Sequence, residues 1–437
     1  MSPVPRPRTL FGALFLVLVG CRTAAPPAAP EPLPEPPPRP APVAEPPAEA
    51  PPPVKTPRYE PVPAGVYESR STYPQAGVTE WRMTSGARLV FRPSRTSPRS
   101  VTLYAFAPGG FAAVPDDLAG AALALSTAGG AAAGADAAVQ PAVREREALL
   151  LGTASTGALE ALFQQVRRAM GAPEAPDPQR LSVREGLEAA LAGMPLGRWA
   201  GDAGALRAVH DRLFGDPRRF TFVLVGDSTP EAIEAAAARV LPRMRPSLQA
   251  LLGEADTLAV PPRIPVRPER RVLPPHDVPA AAAAFRGTVE PGYDALAELD
   301  VLAGLLEDVL EEDEIRVSAE VFFDAGVGEV RVVAEDVDPD AFEADLLAAV
   351  GALRAAPPSA RALAEARERR REAHEAALDA GSGWLPWLVR LYRYDHDVRE
   401  ALRYARRLGG VTAAEVHARA RAVLDPTRFV LVVRPEG

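Results

Sequence analysis

Asp216-Pro217-Arg218-Arg219-Phe220 and Asp425-Pro426-Thr427-Arg428-Phe429 are two copies of one pattern, and each leads straight into an apolar run, Thr221 to Val225 and Val430 to Val433. A short apolar run bounded by turn residues reads as a buried strand. One matched pentad carries little weight alone. The elements that precede each copy match in order as well, and that makes a duplicated unit the economical reading.

Upstream of the first copy, Thr79 to Pro93 reads as strand, turn, strand, with Trp81 and Met83 alternating with polar residues and Ser85-Gly86 at the turn. Val101 to Ala107 is a strand ending at Pro108-Gly109-Gly110, and Asp116 and Asp117 open a helix from Leu118 to Thr127. A loop from Gly129 to Asp136, a strand at Ala148 to Gly152 and an amphipathic helix from Ala158 to Met170 follow. The strand Arg219 to Val225 gives way to a helix from Pro230 to Leu241, with proline at its first position. In the second half, strands at Ala281 to Gly287 and Glu329 to Ala334 alternate with helices at Tyr293 to Leu310, Asp340 to Leu353, Ser359 to Asp379 and Thr412 to Leu424. The predicted fold class is α+β: two homologous lobes, each a mainly antiparallel sheet covered by helices. Their expected bounds are 64–260 and 280–437, joined by a proline-rich linker over 261–279.

Composition excludes several classes of function. The 437 residues, 47% of them hydrophobic, are enough for full cores, and 49 basic against 57 acidic residues give a net charge of −8. No nucleic-acid partner is expected of such a balance. A single cysteine excludes an internal disulfide and any cysteine-cluster metal site. The five histidines, His210, His276, His374, His396 and His417, include no pair at ligand spacing.

The N-terminus reads as an address. Arg6 and Arg8 precede an apolar run from Leu10 to Val19, and Leu18-Val19-Gly20-Cys21 has the form of a bacterial lipobox, so 1–21 reads as a lipoprotein signal with Cys21 as the lipidated residue. Ten apolar residues are too few to cross a hydrocarbon core of about 30 Å as a helix. The expected membrane partner is therefore reached through a lipid anchor. Arg22, not aspartate, follows the cysteine, which favours the outer membrane, facing the periplasm, within the bacterial cell envelope. From Thr23 to Pro63 there are 18 prolines in 41 residues, so 22–63 reads as a polyproline-like spacer.

Several carriers in order give the chain a resemblance. They are the hairpin with Ser85-Gly86-Ala87-Arg88-Leu89-Val90, the strand ending in Pro108-Gly109-Gly110, and Phe220 to Asp227 ahead of a proline-headed helix. In the second half they are Gly383-Trp384 with Trp387, Val411 to Val416, and the last strand with Arg434-Pro435-Glu436. Over Thr79 to Pro435 the sequence resembles the insulinase/pitrilysin family of zinc peptidases, in particular its two-lobe bacterial members. The resemblance implies a zinc site of the form His-x-x-Glu-His on the first-lobe helix. Here that helix is Leu118-Ala119-Gly120-Ala121-Ala122-Leu123-Ala124-Leu125-Ser126-Thr127, without a histidine or carboxylate. No catalytic residue, metal ligand or cofactor is therefore assigned. The family's Arg and Tyr pair in the second lobe has no full match either: the helix is read as continuing from Leu310 through Ile315-Arg316-Val317-Ser318, the Gly-Tyr portion is missing, and Arg316 is not carried over.

Other residues invite functional readings that weigh less than structural ones. His374-Glu375, amid Arg367, Arg369, Arg370 and Arg371, reads as a salt-bridged surface face, with Glu365–Arg369 and Arg371–Glu375 as i,i+4 pairs. Asp395-His396-Asp397 reads as a polar loop, the acidic run Glu307, Asp308 and Glu311 to Glu314 as a solvated helix end, and Trp384, Trp387, Tyr392 and Tyr394 as packing between lobes. The resemblance then implies a non-catalytic lipoprotein that pairs with a zinc-bearing partner subunit of the same family and helps enclose a peptide substrate. The alternatives are an envelope scaffold or binding protein reusing the fold, and an active metallopeptidase with an unrecognised metal site.

Overall fold

Seven strands make the first sheet: β1 (Tyr67–Tyr73), β2 (Val78–Met83), β3 (Arg88–Pro93), β4 (Ser100–Pro108), β5 (Ala137–Val143), β6 (Glu147–Ser155) and β7 (Thr221–Gly226), in the order β1-β2-β3-β7-β4-β6-β5. Five make the second: β8 (Glu269–Val272), β9 (Ala280–Thr288), β10 (Ile315–Phe322), β11 (Val327–Glu335) and β12 (Phe429–Arg434), in the order β10-β11-β9-β12-β8. The structure, a computed structural model, describes residues 62–63, 65–125, 136–173, 183–191, 201–248, 260–310, 315–381 and 383–437. Cys21, the signal, nearly all of the proline-rich stretch and most of the 129–136 loop lie outside them.

The duplication is visible in the pairing. Read from its other end, the second sheet is β8-β12-β9-β11-β10, which repeats β3-β7-β4-β6-β5. Among the described strands only β3–β7 and β8–β12 are parallel pairs, so the odd pair falls at the same place in both sheets. The two Asp-Pro pentads enter the equivalent strands β7 and β12. The first lobe adds the β1–β2 hairpin beyond β3. The segment read as a linker supplies β8, whose Glu269-Arg270-Arg271-Val272 gives little apolar signal and pairs only because β12 lies beside it.

Sheet periodicity divides the first lobe into two cores. Leu89, Phe91, Leu103, Phe222 and Leu224 point to one face, where α2 (Leu159–Gly171) and α5 (Pro230–Val240) bring Leu162, Phe163, Val166, Ile233 and Ala237 against them. Val90, Phe106, Leu149, Val223 and Val225 point the other way and share a core with the second lobe. The first-lobe helices also include α1 (Ala119–Leu125), α3 (Val183–Leu191) and α4 (Ala203–Phe214); the second lobe carries α6 (Tyr293–Leu310), α7 (Pro339–Ala355), α8 (Ala360–Asp379), α9 (Trp384–Arg393), α10 (Glu400–Gly410) and α11 (Ala413–Val423).

Each lobe lends a helix to the other. Helix α9, from the second half of the sequence, packs on β4 and β7, while α3, from the first half, packs on the equivalent strands β9 and β12. Under α3, Leu187, Ala190 and Leu191 close over Ala280, Ala282, Ala284, Val430 and Val432. Both loaned helices come from the crossover between the equivalent strand pairs β6–β7 and β11–β12.

One expectation is overturned. The helix read through Leu310 to Ser318 does not extend that far: it is described to Leu310, and Ile315 to Ser318 belong to strand β10. Buried Ile315, Val317, Ala319 and Val321 alternate with Arg316, Ser318 and Glu320, a period of two that a strand satisfies and a helix does not. Residues 311–314 of the acidic run lie outside the described residues.

Candidate functional site

Strand β4 delivers the chain to the place where the resemblance puts the chemistry. It ends at Pro108, and Gly109 and Gly110 turn with φ of 143° and 85°. A Cβ at Gly110 would stand 2.2 Å from the Arg144 carbonyl oxygen, so the residue must be glycine. Arg212 donates to the Ala113 carbonyl at 2.9 Å and Arg219 to that of Pro108, clasping the loop that leads to α1. Helix α1 then buries Ala119, Ala121, Ala122, Ala124 and Leu125, packed against α4 and β5. These side chains hold no lone pair for a metal and no proton to move. Among the described residues, no group of three or more His, Cys, Asp or Glu stands together as a metal-binding set.

The histidines are dispersed, each tied to its own neighbours. In α4, His210 is buried, with Nε2 2.8 Å from the Ala169 carbonyl, and burial pushes its pKa down against the opposing effect of that bond. Trp387 Nε1 donates to His374 Nδ1 at 3.1 Å, which leaves His374 Nε2–H to donate to the Ala401 carbonyl at 2.9 Å. Burial pushes His374 down as well, and the ring stands edge-on to Trp387 and Tyr404. His374 is thus a half-buried link between α8, α9 and α10, a correction to its reading as part of a surface face. Glu375 does pair with Arg371 as read, at 2.5 Å, whereas Glu365 pairs with Arg361 and Arg369 with Asp308. His396, in the loop between α9 and α10, has its Nδ1 2.8 Å from the Tyr293 hydroxyl. His417 Nε2 lies 2.9 Å from the Arg354 carbonyl, and the Val278 amide donates to His276 Nδ1.

A network of ion pairs lies between the lobes. The turn Arg144-Glu145-Arg146-Glu147 joins β5 to β6, and three of its side chains cross to the second lobe. Glu145 meets Arg286 of β9 at 2.5 Å, Arg146 meets Asp324 at 2.6 Å, and Glu147 takes Arg393 of α9 in a two-pronged pair at 2.5 and 2.7 Å. Arg286 also holds Glu329 of β11, directly opposite across the strands, at 2.5 Å, and Arg393 holds Glu320 of β10 at 2.6 Å. Burial alone would lower the Arg286 pKa, but Glu329 and Glu145 more than offset it and hold the guanidinium charged. Burial likewise raises Glu329, and Arg331 and Arg286 bring it below the usual carboxylate range. Stranding either partner of such a buried pair costs about 3–5 kcal/mol, so the network fixes the joint more than it adds net stability.

Aromatic residues complete the joint. Tyr392 donates to Glu80 of β2 at 3.2 Å, and the Arg92 guanidinium of β3 lies 4.3 Å from the Trp384 ring centroid. Those two bear out the reading as packing between lobes; Trp387 and Tyr394 turn instead to neighbours in their own lobe, His374 and Phe323. Sequence reasoning passed over Glu145, Arg146, Glu147, Arg286 and Glu320. Alternating charge in a tight turn reads as a solvated surface, and only a second lobe set against it makes it a joint.

The duplicated sheets, their order and the loop into α1 define the two-lobe fold of the M16 peptidases, the pitrilysin and insulinase class. The chain is similar to the periplasmic protease PqqL from Escherichia coli, with a TM-score of 0.57 and 17% identity over 87% of this chain and 48% of that one. It is similar to a protease from Helicobacter pylori, with a TM-score of 0.58 and 11% identity over 84% and 100% of the two chains. An inactive M16 peptidase domain from Pseudomonas fluorescens matches with a TM-score of 0.52 and 14% identity over 82% and 98%. The chain spans about half the length of PqqL. No protein-family model and no curated protein matches the sequence.

Proposed function

We propose that this chain is the non-catalytic half of a two-chain peptidase of the bacterial envelope. It pairs with a zinc-bearing homologue, closes one side of the chamber and holds the peptide that the partner cleaves. The observation that carries the reading is α1: in a fold used by peptidases, the helix that borders the site is built of core alanines and leucine. The half-length match to PqqL and the likeness to an inactive domain support it. Residues 1–21 are the signal, Cys21 carries the lipid, 22–63 is the spacer, and the lobes occupy 64–260 and 280–437, with the connecting 261–279 adding β8 to the second sheet. The protein is held at the outer membrane, facing the periplasm.

The test is co-purification of the tagged, lipidated protein from detergent-solubilised native membranes. The expected companion, at near-equal stoichiometry, carries His-x-x-Glu-His, cleaves peptides only in the complex, and loses activity without losing zinc when this chain is deleted. A companion equally active alone would overturn the proposal, and envelope proteins without a metallopeptidase would replace it with the scaffold reading.

A further inference from the structure

Strand β5 borders α1 and is the last strand of the first sheet. Its register with β6 pairs Ala137 with Ala154 through Val143 with Ala148, without a break. At the two ends of that ladder the Ser155 amide donates to the Asp136 carbonyl at 2.8 Å, and the Arg144 amide to the Glu147 carbonyl at 2.9 Å. Pairs bonded in this way alternate along an antiparallel ladder, so Asp136, Ala138, Gln140, Ala142 and Arg144 turn their backbone groups to β6. Ala137, Val139 and Pro141 turn theirs to the outer edge.

Proline has no N–H, and its ring carbon stands where the hydrogen would be. The outer edge of β5 therefore lacks its donor at Pro141, near the middle of what an added strand would span. The ring is itself buried, lining a shallow crevice with Leu125, Gln165 and His210, so the position is fixed by packing. Following the strand registers outward from the equivalent Phe220 and Phe429 places Val317 of β10 opposite Pro141 in the duplicated lobe. The second lobe keeps the donor that the first has lost.

We infer that Pro141 closes the β5 edge, so that no extended peptide adds to the first sheet beside α1. Strand addition draws its affinity from an unbroken run of backbone bonds, and proline at an outward position is how sheets stop it. Within the proposed pairing, a peptide in the chamber is strand-bound by the partner and only walled in by this lobe. That consequence rests on the pairing; closure of the edge does not, and it is tested on this chain alone.

The experiment is amide hydrogen exchange on the full chain, with and without excess of an extended octapeptide of alternating threonine and valine. In the wild type, exchange at Ala137 and Val139 is expected to be the same in both conditions. In Pro141→Val, which supplies the missing donor, the probe should slow these two amides and the new one at position 141 by tenfold or more. Pro141→Ala restores the same N–H with a smaller side chain and stands in should the valine variant fail to fold. Slowing in the wild type would overturn the inference, and so would replaced variants as indifferent to the probe as the wild type, since something other than the proline would then close the edge.

Discussion

Asp425 shows how much one residue of the repeated pentad does. Its carboxylate accepts from the Thr427 amide at 2.9 Å, the Thr427 hydroxyl at 2.7 Å and Arg428 Nε at 2.8 Å, pinning the turn that aims β12 into its sheet. Burial works to raise its pKa, but these bonds hold it at about 2, below the usual 3.8. A carboxyl depressed in the folded state stabilises fully above its unfolded pKa, and the contribution is lost as pH falls through the folded value. Asp425→Ala should therefore lower stability at pH 7 by about 1.5–3 kcal/mol, the scale of hydrogen bonds to a charged group. The deficit relative to wild type should shrink from about pH 4 to pH 2, read by urea unfolding across that range. Asp216, with Arg218 in the same role, is held below its ordinary value too. The repeated pentad was legible in the sequence; the bonds its aspartates make, though local, came from the structure. The partners of Glu145, Glu147 and Arg286 were not legible, since each lies more than a hundred residues away in the chain or across a sheet.

At the level of elements, strong periodicity located β4, β7, β9, β11 and most helices to within a residue or two, Tyr293–Leu310 at both ends, and found β6 three residues short at its end. The elements passed over are strands β1, β5 and β8 and helices α3, α4, α9 and α10; for polar edge strand β1, short β8 and the loaned helices α3 and α9 the pattern depends on a neighbour. Leu187 makes the point. It lies in the first half of the sequence but is fully buried against the second sheet, among Ala282, Ala284 and Val432. Leu187→Ala should cost about 2–5 kcal/mol, the usual range for a buried leucine. The accompanying rise in amide exchange should appear in β9 and β12, not in the first sheet. An effect confined to the first lobe would mean that α3 does not cover the second.

At the level of the whole molecule, reciprocal loan makes the lobes one folding unit; residues Pro61–Gly437 form a single compact body. A first lobe expressed alone would leave Val90, Phe106, Leu149, Val223 and Val225 without α9, an apolar face of the kind that drives aggregation. Segments 64–260 and 261–437 should each be insoluble or unfolded when made separately and recover a common soluble complex when made together, as read by gel filtration. A separately soluble, cooperatively melting lobe would contradict this. The sequence by itself determined the duplication, the α+β class and the absence of histidine and carboxylate from Leu118 to Thr127, because those follow from residue type and short-range periodicity. Only the tertiary structure decided which face of each sheet is covered and by which helix, that a charged turn is the joint between lobes, and that Pro141 faces the outer edge of its strand. Those depend on register and on contacts between distant segments, where a shift of one residue turns a side chain to the opposite face.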